Sequence, residues 1–177
     1  MILKLKRTPG IYLVGFMGCG KTTVGRMLAD KIGWRFVCID EEIEAAQKRT
    51  IAEIFDTEGE QKFREIEAGA IRQYVRKVQA GHPMVLALGG GAVTQQENLD
   101  LLANNGVTIW LDVQFEVLQK RVEAASHRPL ARDPEKFRQL YDTRLPLYEK
   151  SEYRIVVQGD DSRNALEQIL ELPLFHV

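Results

Sequence analysis

Apolar positions follow two alternating patterns along the chain. Short, mostly apolar runs at residues 11–14, 36–39, 84–88, 107–111 and 153–157 read as strands. Between them, apolar residues recur at helical spacing. Val24, Leu28 and Ile32 share one face of a helix over 21–32, which Gly33 stops. A helix starts over 41–48, and Thr50-Ile-Ala-Glu53 has the form of a capping box opening another short one. Phe63, Ile66, Ala70, Tyr74 and Val78 keep register over 60–78. Further helices are predicted over 95–104, 115–125, 135–150 and 163–170, and a polar surface loop over 126–134. Strands that are mostly apolar, alternating with helices, predict an α/β fold. Its form is three layers, α/β/α, around a five-stranded parallel sheet. Ligands in such sheets gather at the carboxyl ends of the strands.

Composition narrows the class. The chain has 177 residues, enough for one domain, with 45% hydrophobic and 28% charged residues. A net charge of −1 argues against a nucleic-acid binder. The two cysteines, Cys19 and Cys38, form no metal-like or disulfide-like pattern, which suits a reducing cytoplasm. Residues 1–7 alternate apolar and basic residues without the apolar stretch of a signal peptide. No apolar segment is long enough to span a membrane. The apolar tail, 172–177, is expected to pack back on the domain.

The first strand runs into Gly15-Phe-Met-Gly-Cys-Gly-Lys21-Thr22, which fits G-x-x-x-x-G-K-[ST] at each fixed position. Glycines let backbone N–H groups converge on phosphate oxygens, and the helix that follows directs its positive end there. Lys21 is placed to reach the β- and γ-phosphates, and Thr22 to ligate Mg²⁺. The expected ligand is Mg·ATP.

Residues for an acceptor lie further on: Asp40 closing the second strand, Arg64 in FREIE, Gly89-Gly90-Gly91 after the third strand, Arg128 in RPL and Arg144 in RLPLY. Each also has an ordinary reading. Asp40 could be a helix cap, Arg64 and Glu67 a solvated i, i+3 pair, the glycines a tight turn, and both later arginines exposed cations.

Taken together, these motifs resemble the shikimate kinase family, from Gly15 to about Arg163. The matching pieces are GFMGCGKTT, the acid of VCIDEEIE, IAEIFDTEGEQKFREIE, LGGGAV, RPLA and RLPLY. The resemblance implies a P-loop fold of the nucleoside-monophosphate-kinase type. It implies transfer of the ATP γ-phosphoryl group to the 3-hydroxyl of shikimate, a late step toward chorismate and the aromatic amino acids. Asp40, Arg64, Gly90, Gly91 and Arg144 would hold shikimate, with Asp40 as base and Glu67 orienting Arg64. Gly18, Cys19, Gly20, Lys21, Thr22 and Thr23 would hold the phosphates, and Arg121 and Arg163 the adenine side. Lys21, Asp40 and Arg128 would be catalytic, Arg128 from a lid near 126–134. The segment 41–80 would bind the acceptor. A monomer is expected, without nucleic-acid or membrane partners.

One position departs from the family pattern of Asp-x-Asp after the second strand. Here Cys38-Ile39-Asp40 puts a thiol in place of the first acid, and a thiol suits a hard cation poorly. The expectation is a working enzyme with weakened or altered metal dependence. Two alternatives stay open: a kinase for another small metabolite, such as gluconate or a nucleoside monophosphate, and a nucleotide-binding relative that has lost catalysis.

Overall fold

The computed structural model describes residues 10–125 and 133–176. Its five strands, β1 (Gly10–Val14), β2 (Arg35–Cys38), β3 (Met84–Ala87), β4 (Val107–Val113) and β5 (Tyr153–Val157), pair in parallel in the order β2-β3-β1-β4-β5. Every residue of β1 and β3 is buried, as expected of central strands covered on both faces.

Helices α1 (Lys21–Ile32), α2 (Ile39–Gln47), α3 (Ile51–Gln79), α4 (Gln96–Asn104), α5 (Phe115–Ala124), α6 (Pro134–Tyr148) and α7 (Ser162–Leu170) fill the connections. The path from β1 to β2 crosses the sheet in one direction, and the later crossovers run in the other. With right-handed crossovers, α1 lies on one face and α2 to α6 on the opposite one. Helix α7 packs against α1. The three layers anticipated from the sequence follow directly.

Local chemistry explains several boundaries. Thr50 and Glu53 form the reciprocal cap: Glu53 N–H donates to Thr50 Oγ1 at 3.2 Å and Thr50 N–H to Glu53 Oε2 at 2.6 Å. Helical hydrogen bonding then continues to Gln79, but Gly59 breaks the run with φ 82° and ψ 170°. The short helix and the longer one expected from residue 60 are therefore two runs joined at Gly59. Asp40 differs from expectation. The extended chain stops at Cys38, and Ile39 already opens α2. Asp40, Glu41 and Glu42 occupy the first helical turn, where the exposed N–H groups favour carboxylates. Strand β4 runs two residues beyond the apolar block: Asp112 and Val113 stay in register with Val156 and Val157 of β5, and Asp112 also pairs with Arg154 at 2.6 Å. A 3₁₀ turn, Ala92–Thr94, precedes α4 and was not anticipated. In the tail, Phe175 is buried. Residues 1–7, Val177 and most of the loop 126–134, Arg128 included, lie outside the described residues.

Helix α1 sits close to the sheet because Gly25 has no side chain. A Cβ there would meet Phe36 Cε2 at 2.5 Å and Leu13 Cδ1 at 3.1 Å. Gly25→Ala should cost about 1–2 kcal/mol through overpacking, despite a gain in helix propensity of about 1 kcal/mol. The expected fall in Tm is about 2–8 °C by calorimetry. An unchanged or raised Tm would contradict this packing.

Candidate active site

Strands β2, β3 and β1 are neighbours, so the segments leaving their carboxyl ends are neighbours too. These are Asp40 at the start of α2, the glycines 89–91, and the loop 15–20. Sheet topology therefore gathers sequence elements up to 76 residues apart along one edge.

The loop 15–20 turns sharply into α1. Gly18 and Gly20 have φ of 81° and 95°, and Gly20 is the N-cap. Lys21 Nζ lies across the loop, donating to Gly15 O at 2.7 Å and Phe16 O at 3.1 Å. Cys19 is buried, and its N–H donates to Phe16 O at 3.2 Å, so it closes the turn. Phe16 anchors the loop, packing edge-on against Phe137 and Tyr141 of α6 at 5.2 and 5.4 Å. Arg144 of α6 stands over the same Phe16 ring at 5.8 Å. The phosphate loop and Arg144 thus share one aromatic brace.

The three glycines form the floor of the second half of the site. A Cβ on Gly89 would meet Glu67 Oε1 at 2.6 Å and Asp40 Oδ1 at 2.8 Å. One on Gly90 would meet Arg144 Nη1 at 3.3 Å and Met17 N at 3.4 Å. One on Gly91 would collide with the guanidinium of Arg64. No residue with a side chain fits at 89 or 91 while these groups keep their places.

Arg64 is held between two carboxylates. Its Nη1 bonds Glu67 Oε2 at 2.8 Å, and its Nη2 pairs with Glu60 Oε1 at 3.3 Å. Glu67 is wholly buried, and Arg64 is 11% exposed. Burial raises the Glu67 carboxyl above its ordinary value, and the Arg64 guanidinium opposes this. Losing one member of a buried pair of this kind costs about 3–5 kcal/mol, so Glu67 fixes Arg64 firmly. Arg144 is also buried, and Tyr148, one turn further along α6, donates to Gly90 O at 2.5 Å.

Thr22 begins α1 opposite β2, and its Oγ1 lies 3.9 Å from Cys38 Sγ. Burial pushes the Cys38 thiol up, which keeps it neutral. Arg121 of α5 donates from Nη1 to Gly18 O at 2.8 Å and from Nη2 to Gly159 O at 3.0 Å, and pairs with Asp160 at 2.8 Å. It therefore ties the phosphate loop to the turn before α7. Arg163 is exposed at the start of α7, its N–H held by Asp161 Oδ1 at 2.9 Å.

Most residues expected at the site from sequence thus converge. Asp40, Arg64 and Arg144 meet at the turn 89–91, and the phosphate loop touches that turn through Gly15 and Met17, with Lys21 Nζ bonded to Gly15 O. Three participants were not singled out: Glu60, Tyr148 and Asp160. The four-residue step from Glu60 to Arg64 is a readable signal; the other two contacts span 58 and 39 residues.

Comparison with known proteins agrees with this geometry. The family model for shikimate kinase matches residues 17–173. A shikimate kinase of Persephonella marina is 37% identical over 161 residues, covering 90% of this chain and 96% of that protein. One of Parasynechococcus marenigrum is 41% identical over 177 residues, covering 96% and 90%. Among solved structures, shikimate kinase from Acinetobacter baumannii in complex with shikimate has a TM-score of 0.86 at 38% identity, covering 94% of this chain and 93% of that one. A sugar kinase from Janibacter, at 21% identity and a TM-score of 0.58, shares the fold alone. With its phosphate loop, its glycine turn and its arginines in place, the chain belongs to the shikimate kinase family.

Proposed function

We propose that the chain transfers the γ-phosphoryl group of ATP to the 3-hydroxyl of shikimate, with the residue roles that follow. The convergence of Arg64, Arg144 and Asp40 on the turn 89–91, beside the phosphate loop, carries this reading. Shikimate offers one carboxylate and three hydroxyls. Arg64 and Arg144 are suited to fork onto the carboxylate. Asp40 takes the hydroxyl proton as the new P–O bond forms and the bond from the γ-phosphorus to the bridging oxygen breaks, leaving ADP. The backbone of Gly18 to Thr23, Cys19 included, and Lys21 hold the phosphates, and Lys21 neutralises charge on the leaving side. Arg128, outside the described residues, supplies a further cation to the transferring group in this proposal. Arg121 and Arg163 flank the adenine side.

The metal donors need separate scrutiny. Thr22 Oγ1 is one hard oxygen, whereas its neighbour Cys38 is a neutral thiol. Among the described residues no group of three or more His, Cys, Asp or Glu could hold a metal ion. The site fits a magnesium ion that takes Thr22, nucleotide oxygens and water, and such an ion would spread the charge of the β- and γ-phosphates. Weaker magnesium affinity is part of the proposal. Among the described residues no helix is long and apolar enough to cross a membrane. The proposed setting is a cytoplasmic, monomeric, single-domain kinase.

The purified protein should release ADP from Mg·ATP only when shikimate is present, measured with magnesium titrated. Cys38→Asp should lower the magnesium concentration needed for half-maximal rate. No turnover in either form, with both substrates binding, would favour a catalytically impaired relative.

Gly91→Ala should push Arg64 aside and weaken shikimate binding about tenfold or more, with ATP binding and Tm nearly unchanged. Calorimetric titration reads this, and undiminished shikimate affinity would contradict the role given to the turn.

A further inference from the structure

Arg64 has two carboxylate partners of opposite character. Glu67 is fully buried and cannot leave; Glu60 is 66% exposed and can turn to water. Glu60 stands where it does for a local reason. Gly59 breaks α3, so Glu60 opens the second helical run, one turn before Arg64 and on the same face.

The nitrogen that Glu60 engages is Nη2. Nη2 is also the Arg64 atom nearest to the vacant Cβ position of Gly91, so it overlies the glycine turn. An acceptor seated on that turn needs the same donor. The Glu60–Arg64 pair also lines the wall of a cavity of about 580 Å³ that is bordered by Arg72, Thr94 and Gln95.

We propose that Glu60 competes with the acceptor's carboxylate for Arg64 Nη2 and so sets the affinity and charge selectivity of the acceptor site. The proposal rests on the reading above, in which Arg64 binds that carboxylate. Binding swings Glu60 into solvent and leaves the Arg64–Glu67 pair intact. Because an exposed i, i+4 pair is weak, the competition is mild, about two- to fivefold in affinity. Glu60 acts on the substrate through Arg64 and touches no reacting atom.

The test compares Glu60→Gln with Glu65→Gln. Glu65 borders the same cavity but pairs with Lys62 at 3.3 Å, so its loss removes equal charge without freeing Arg64. Steady-state kinetics should show the KM for shikimate falling about two- to fivefold in Glu60→Gln. The KM for ATP should stay constant, and Glu65→Gln should change neither constant. Binding of a shikimate analogue that lacks the carboxyl group should be the same in wild type and Glu60→Gln. An unchanged or raised shikimate KM in Glu60→Gln would overturn the competition. So would an equal fall in Glu65→Gln, which would show a general charge effect. Arg64→Lys separates the two levels. If it leaves the shikimate KM unaltered, the reading of Arg64 fails, and the competition with it. If it raises the KM while Glu60→Gln does nothing, only the competition fails.

Discussion

Four charged side chains from three helices can meet at one point only because three consecutive residues there have no side chains. Asp40 comes from α2, Arg64 and Glu67 from α3, and Arg144 from α6, and each approaches the backbone of Gly89, Gly90 or Gly91. Such charges are costly to bury singly, by several kcal/mol each. They persist because two carboxylates face two guanidiniums. The raised Glu67 carboxyl reflects the strain of this balance: burial and nearby Asp40 oppose its charge, while Arg64 and Arg144 support it. A site built this way is preorganised, since Arg64 is locked by Glu67 whether or not an acceptor arrives.

The same turn connects the two halves of the reaction. Gly90 lies against Met17 N and Gly15 O of the phosphate loop. Helix α6 braces both sides, through Phe137 and Tyr141 on Phe16 and through Tyr148 on Gly90 O. On the outer side, Arg121 fastens Gly18 to the turn that carries Asp160. In the proposed reaction, the distance between phosphate donor and acceptor is set by these packed side chains at the sheet's carboxyl edge, and positioning is what phosphoryl transfer chiefly requires.

What the sequence made legible follows from how local each signal is. The strands announce themselves as apolar blocks, the capping box of Thr50 and Glu53 needs four residues, and the phosphate loop needs eight. That Asp40, Gly89–91 and the loop fall at the carboxyl ends of strands follows once the strands alternate with helices. The strand order, which makes them neighbours, rests on pairings between distant segments and is not legible locally. Boundaries set by backbone geometry were harder. Asp40 reads as the end of a strand, yet it belongs to a helix because Ile39 already turns. Tyr148 and Asp160 escaped notice because their contacts lie far along the chain. Glu60 was within reach, but an i, i+4 pair on a charged helix does not show which arginine matters. Cys38 stands out in the sequence as a departure, and only the structure shows that its thiol lies beside the Thr22 hydroxyl.

The central claim is that Arg64 and Arg144 act together on one carboxylate above the glycine turn. A double-mutant cycle of Arg64→Lys and Arg144→Lys, read as shikimate affinity by calorimetric titration, tests it most directly. The account predicts that each single change weakens binding at least about tenfold, as expected when a bidentate fork becomes a point charge. It also predicts a coupling of about 1 kcal/mol or more between the two, as for residues sharing one ligand. Strictly additive effects, or no loss from either change, would contradict it and place the acceptor's carboxylate elsewhere.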